Sequence, residues 1–191
     1  MSVPALRIEP LRADDEVALR EAAELLVDGF REDWPDAWPD LESALEEARE
    51  CTAGDRSAWV ARDEDGRVAG WIGAIRGYRG NVWELHPMVV RRDLRGRGIG
   101  RMLVDELANQ ARAAGAHTLW LGTDDENNRT TLGGVDLYPG VLDKVRELRD
   151  LGRHPFAFYQ RMGFEVAGVL PDANGPGKPD ILMAKPLRST P

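Results

Sequence analysis

The sequence predicts a single-domain α/β protein, with a mixed, mainly antiparallel sheet flanked by helices. Three observations carry this. Segments with apolar period 2 and period 3.6 follow one another in the order β-α-α-β-β-β-α-β-α-α-β-β. At 191 residues the chain is long enough for one domain with a real core. No repeat, low-complexity tract or linker divides residues 1–191.

The elements follow in order. "ALRIEPLR" alternates, with Leu6 and Ile8 on one face and Arg7 and Glu9 on the other, so it reads as a strand. "ADDEVALREAAELLVDGF" reads as a helix capped by Asp14 or Asp15, with an apolar stripe of Val17, Leu19, Ala22, Leu25 and Leu26. "REDWPDAWPD" is a loop with two Trp-Pro pairs, and "LESALEEARE" is an acidic helix. "SAWVARDEDGRVAGWIGAIRG" is a hairpin turning at Asp65-Gly66. A strand over Trp83–Val90 is followed by a helix over Ile99–Ala114, with Leu103, Leu107 and Ala111 on one face. "HTLWLG" is a short apolar strand suited to burial on both faces. A long polar segment over Thr123–Gly140 leads to a helix over Asp143–Leu151. "HPFAFYQRMGF" is a short helix with Pro155 near its start and Gly163 at its end. Strands over Phe164–Leu170 and Ile181–Lys185 flank the loop "PDANGPGKPD".

Bulk properties exclude several classes. A net charge of -8 repels nucleic-acid phosphate and suits a cationic partner. No apolar run approaches the roughly 18 residues that span a bilayer. "MSVPALRIEPLRADDE" has neither the basic nor the apolar region of a signal peptide. Cys51 is the one cysteine, so no intramolecular disulfide forms, which fits a reducing cytoplasm. His86, His117 and His154 show no metal-ligand spacing with Cys51. Cys51 follows an acidic helix, a poor setting for a reactive thiolate.

The unusual stretch is "WELHPMVVRRDLRGRGIG". It reads as a strand, yet it holds Glu84, His86 and Pro87. Pro87 cannot donate to a sheet ladder, so it implies a bulge or a splayed edge. The strand then breaks into "RGRGIG", Arg95–Gly100, where a helix begins. Glycines there let the backbone turn tightly or approach a ligand. The N–H groups of the first helical turn favour an anion, and Arg95, Arg97 and Arg101 add positive charge. A phosphate or pyrophosphate fits this turn, and so does a plain loop with a solvated basic face. A Rossmann turn would follow the first strand, and "GPGKP" lacks the P-loop spacing.

Arg95, Gly98 and Gly100, read as R-x-x-G-x-G after a central strand, resemble the GNAT superfamily of N-acetyltransferases. "WELHPMVV", "LWLGTDDEN", "TTLGGVDLYP", "HPFAFYQRMGF" and "GVLPDANGPGKPDILMAK" resemble the aminoglycoside 6'-N-acetyltransferases more closely. Residues 1–80 are similar in element order and in the Trp-Pro acidic loop. The resemblance implies a GNAT-like acetyltransferase fold with a splayed central strand pair. It implies acetyl-coenzyme A as co-substrate, a primary amine as acceptor, most specifically the 6'-amine of aminoglycosides, and a homodimer.

Site roles follow from the same resemblance. The turn with Arg95, Gly96, Arg97, Gly98, Ile99, Gly100 and Arg101 would hold the pyrophosphate, and the backbone of Met88, Val89 and Val90 the pantetheine arm. Glu84 and His86 would position the amine or deprotonate it through water. The Met88 N–H would polarise the thioester oxygen. Tyr159 would meet the thioester sulfur as the acid, its phenol protonated at neutral pH with a reference pKa near ~10. Beside the resemblance, Asp124, Asp125 and Glu126 read either as a solvated turn or as a cation-binding wall, joined by Trp34, Asp36 and Asp40 of the Trp-Pro loop and by Asp136. A protein or peptide N-acetyltransferase and a non-catalytic coenzyme A-binding module remain as alternatives.

Overall fold

Asp15 starts the first helix: its carboxylate accepts from Ala18 N at 3.0 Å, a cap contributing about 1 kcal/mol. The computed structural model describes residues 6–187; Ala5, included in the first expected strand, lies outside them. The described chain packs as two compact units. One runs through His117 and takes in Leu187; the other is Thr118–Pro186.

In the first unit, β1 (Arg7–Pro10), β2 (Arg56–Arg62), β3 (Val68–Gly77) and β4 (Val82–Val90) form an antiparallel run in chain order. The hairpin turn between β2 and β3 is held by Asp63, whose Oδ1 accepts from Asp65 N and Arg67 N, and Gly66 takes the left-handed φ of 78°. Helices α1 (Glu16–Phe30) and α2 (Leu41–Glu50) pack on Ala58, Val60, Trp71 and Val89. The buried side of α1 is Ala18, Leu19, Ala22, Ala23 and Leu26. Val17, expected in that stripe, is 67% exposed, because it lies on the outer face of the helix in line with the exposed Arg20 and Glu24. Trp71 Nε1 donates to Ala22 O at 3.0 Å, so its polar atom is satisfied inside the core. Helix α3 (Ile99–Ala113) packs against all four strands with Leu103, Leu107 and Ala111 buried.

One irregularity in this sheet matters. Ile72 pairs with Met88 and Ala74 with Leu85, so Gly73 alone opposes both His86 and Pro87. This is the bulge that Pro87 implied, in β4, with the proline at the unpaired position.

In the second unit, β5 (Thr118–Asp124), β6 (Glu165–Leu170) and β7 (Asp180–Pro186) pair antiparallel in the order β5-β7-β6. β5 is not buried on both faces as expected: Leu119, Leu121 and Thr123 are buried, while Gly122 is exposed and Trp120 half-buried. Helix α4 is Val141–Arg146, shorter than the expected Asp143–Leu151. Beyond it, Arg149 and Asp150 leave the helix to pair with Thr131 and Thr130, which competes with further winding. Helix α5 is Phe156–Arg161. Among the described residues no helix is long and apolar enough to cross a membrane.

Candidate active site

Burial alternates along strand β4: Trp83, Leu85, Pro87 and Val89 are buried, while Glu84, His86, Met88 and Val90 remain partly open. Glu84 and His86 share one face, and the bulge turns Met88, opposite Ile72, to the other face with Leu85. Burial raises the Glu84 pKa, and the Arg56 charge works against that. Burial lowers the His86 pKa, the Glu47 carboxylate raises it, and Arg56 lowers it again. Both shifts favour the uncharged forms. The bulge sets the position of His86. Its carbonyl lies so close to Gly73 that a Cβ there would sit 2.4 Å away. Cys51, buried between α2 and the bulge, donates its thiol to Glu47 Oε1 at 3.4 Å. Burial, then the Glu47 charge, pushes the thiol up to about 12, so it does not serve as a nucleophile at neutral pH.

The basic turn ends at Gly98, the N-cap of α3, with φ 88° and no side-chain capping bond. Gly96 has φ 77°. An added Cβ at either meets nothing within 4 Å, so the left-handed backbone, not crowding, calls for glycine. The first-turn N–H groups of a 15-residue helix are therefore left without a side-chain acceptor, with Arg97 and Arg101 exposed beside them. These features fit a bound pyrophosphate. Arg95 donates from Nε to Val90 O at 3.1 Å and braces the end of β4. The Ile99 and Val89 side chains are buried, so a ligand could meet their backbone only.

The Trp-Pro loop separates its expected residues. Asp36 is exposed and Trp34 half-buried. Asp40 caps α2, accepting from Ser43 N at 2.9 Å, and this lowers its pKa. Trp38 approaches the catalytic candidates instead: its ring lies 4.8 Å from Phe30 and 6.2 Å from His86.

In the second unit, Asp124 ends β5 opposite Asp180 of β7, and Asn174 Nδ2 donates to its Oδ1. Burial, then the Asp180 charge, raises the Asp124 pKa to about 7. Asp125 does not join a solvent-facing wall. It is 1% exposed and accepts from Arg129 N, Thr130 N and Thr130 Oγ1 at 2.7, 2.8 and 2.7 Å, which makes it the organiser of its own loop. Glu126 pairs with Lys178 at 2.7 Å. Asp136 is exposed, accepts from Tyr138 N at 2.8 Å, and lines an open depression of about 470 Å³ with Asp172 and Gly177. Tyr159 of α5 is 8% exposed, with its ring edge-on to Phe158 and Phe164. Burial raises its pKa, so the phenol keeps its proton at neutral pH.

Four further groups shape these sites: Glu47, Arg56, Trp38 and His154. His154 is buried, Phe156 N donates to its Nδ1 at 3.2 Å, and its Nε2 lies 2.9 Å from Asp124 O. An amide N–H only donates and a carbonyl only accepts, so His154 is neutral with its proton on Nε2. Burial lowers its pKa, consistent with that state. It ties the end of β5 to the start of α5. An acidic helix, a hairpin arginine and an HP dipeptide carry no sequence signal for these roles beyond residue type.

Residues 19–133 match the model of the Acetyltransferase (GNAT) family. The chain belongs to this family. It is similar to the crystal structure of an aminoglycoside 6'-N-acetyltransferase complexed with coenzyme A, with TM-score 0.87, 37% identity, and coverage of 97% of this chain and 99% of that one. It is also similar to the aminoglycoside 6'-N-acetyltransferase from Enterococcus faecium, with TM-score 0.85, 38% identity and the same coverage. These likenesses establish the mixed, mainly antiparallel acetyltransferase fold. A curated relative in Pseudomonas aeruginosa, an L-methionine sulfoximine/L-methionine sulfone acetyltransferase, is 28% identical over 117 residues, 59% of this chain. The chain spans about half, 52%, of the length of the curated relatives it matches.

Proposed function

We propose that this chain transfers an acetyl group from acetyl-coenzyme A to a primary amine of a polycationic acceptor, the 6'-amine of an aminoglycoside being the most specific reading. The observation that carries the chemistry is the partly buried Glu84–His86 pair on one face of β4, on the strand that leads to the uncapped N-terminus of α3. The turn from Arg95 to Arg101 holds the pyrophosphate of the co-substrate, which supplies the activated acetyl group. Backbone groups of Met88, Val89 and Val90 line its arm, and the Met88 N–H polarises the acyl oxygen. Glu84 and His86 take the proton from the attacking amine, directly or through water. Tyr159, kept protonated by burial, returns a proton to the leaving thiolate. The amine attacks directly, since the Cys51 thiol is held neutral.

Full-length similarity to two aminoglycoside acetyltransferases supports the acceptor class. Asp36, Asp124 and Asp136 supply negative charge for its ammonium groups, with Trp34 and Trp38 as apolar surface. Asp125 and Asp40 act within their own loops. A cytoplasmic homodimer that binds neither nucleic acid nor membrane completes the reading. The partial match to the methionine sulfoximine enzymes favours a second one, a small amino-acid-like amine.

Coenzyme A release measured with an aminoglycoside, a linear polyamine, a lysine-rich peptide and methionine sulfoximine tests this. The expected result is the highest kcat/KM for the aminoglycoside, with KM rising as salt screens the charge pairing over a Debye length near ~10 Å at 0.1 M. Turnover confined to the sulfoximine or the peptide would move the assignment to those acceptors. Binding of acetyl-coenzyme A without turnover of any amine would indicate a non-catalytic module.

A further inference from the structure

Helix α2 carries a carboxylate that the reaction above does not use. Glu47 Oε1 lies 3.0 Å from Arg56 Nη1, 3.9 Å from His86 Nε2 and 3.4 Å from Cys51 Sγ. The ion pair is sheltered, with side-chain exposures of 17% for Glu47 and 26% for Arg56. Glu50 reaches Arg56 at 3.3 Å from the solvent side. The sheet register puts Arg56, Ile75 and Glu84 in one transverse row across β2, β3 and β4, so the guanidinium and the Glu84 carboxylate share a face. A sheltered ion pair adds little net stability against its desolvation cost. Its location behind the two ionisable groups of β4 gives it a different use.

We propose that the Glu47–Arg56 ion pair is a positioning pair for the acetyl-transfer site, with the Glu47 anion acting on His86 and the Arg56 cation acting on both His86 and Glu84. The inference rests on the reading of Glu84 and His86 as the proton-handling groups. The groups facing His86 are Glu47 and Cys51 from α2 and its end, Arg56 from β2, and the Trp38 ring; from β3 it meets Gly73, and Glu84 stands two residues along β4 on the same face. Glu47 favours the imidazolium and Arg56 disfavours it; Arg56 favours the ionised Glu84. The two members therefore act on His86 with opposite sign, as an anion and a cation must; a catalytic consequence shows only if the pH profile of turnover follows the same shifts.

Two variants and one titration test this. Glu47→Gln keeps the side-chain volume and an oxygen for Arg56 but removes the anion. Arg56→Gln removes the cation. NMR of the imidazole signals as a function of pH reads His86 directly; the chain has three histidines, and His86→Asn assigns the signal. The expected result is a His86 midpoint that moves down in Glu47→Gln and up in Arg56→Gln. The acidic limb of kcat/KM moves in the same two directions, and the KM for acetyl-coenzyme A is unchanged. Unmoved midpoints, or shifts of the same sign in both folded variants, overturn the proposal. Should Arg56→Gln not fold, Glu47→Gln decides: a downward shift supports the proposal and no shift overturns it. Opposite shifts with full turnover in His86→Asn would leave the coupling intact and refute the catalytic reading of His86 instead.

Discussion

Replacing Gly73 with alanine puts the bulge under a direct load. The added Cβ would lie 2.4 Å from His86 O, 3.1 Å from the His86 carbonyl carbon and 3.1 Å from Cys51 Sγ. Real Cβ contacts essentially never fall under 3.0 Å, so the β4 backbone must give about 0.6 Å at His86. The closest atom is main chain, which cannot swing aside as a flexible side chain would. Overpacking of this kind costs about 1–3 kcal/mol. In a chain of this size that lowers Tm by about 2–12 °C. A displacement near 1 Å at a reacting group costs about 100-fold in rate, so a shift of about 0.6 Å should reduce kcat by about tenfold. Thermal melting followed by circular dichroism reads the first effect and coenzyme A release the second. Gly168→Ala is the control: its Cβ meets nothing within 4 Å, and stability should stay within about 0.5 kcal/mol. A Gly73→Ala protein with wild-type Tm and kcat would refute the close approach at the bulge. A lowered Tm with unchanged kcat would show that His86 needs no such placement.

Tyr159→Phe removes the phenolic proton without disturbing the ring contacts to Phe158 and Phe164, so kcat should fall by about 10²–10⁴-fold with Tm nearly unchanged; full turnover would take Tyr159 out of the mechanism. Gly98→Asp sets a carboxylate at a position with φ 88° beside the uncapped helix end, and should weaken acetyl-coenzyme A binding severely; unchanged affinity by calorimetry in a folded variant would displace the cofactor from this turn. Asp124 has its pKa raised to about 7, so folding favours its protonated form. Its contribution is present below pH about 4 and lost as pH rises through about 7. Asp124→Asn should therefore flatten the fall in Tm between pH 5 and pH 8, while raising KM for a cationic amine most at the alkaline end, where the wild-type carboxylate is ionised; parallel Tm curves for the two proteins would contradict the shift.

Much of this molecule was legible from residue order. The element sequence, the hairpin at Gly66, the N-cap at Asp15 and the glycine turn before α3 depend on local spacing and on backbone freedom, which neighbouring residues determine. The proline in β4 announced a bulge for the same reason: a missing N–H is a property of the residue itself. Charge type was legible too, in the acidic chain and in the basic turn that precedes α3.

Which carboxylate faces solvent, caps a helix or tunes a histidine was decided by distant parts of the chain. Asp124 and Asp125 are adjacent, yet one stands against Asp180 with a raised pKa and the other is consumed by Arg129 and Thr130. Asp40 caps the N-terminus of α2, and the Trp-Pro loop brings Trp38 rather than Trp34 near His86. Glu47 looked like one acid among several on a polar helix until Arg56, Cys51 and His86 converged on a single oxygen. Backbone conformation is largely a short-range property, and local sequence determined most of it here, the early end of α4 at Arg146 being the exception that distant pairing imposed. Burial and the Coulomb field at a side chain come from residues tens of positions away, whose proximity only the tertiary fold creates.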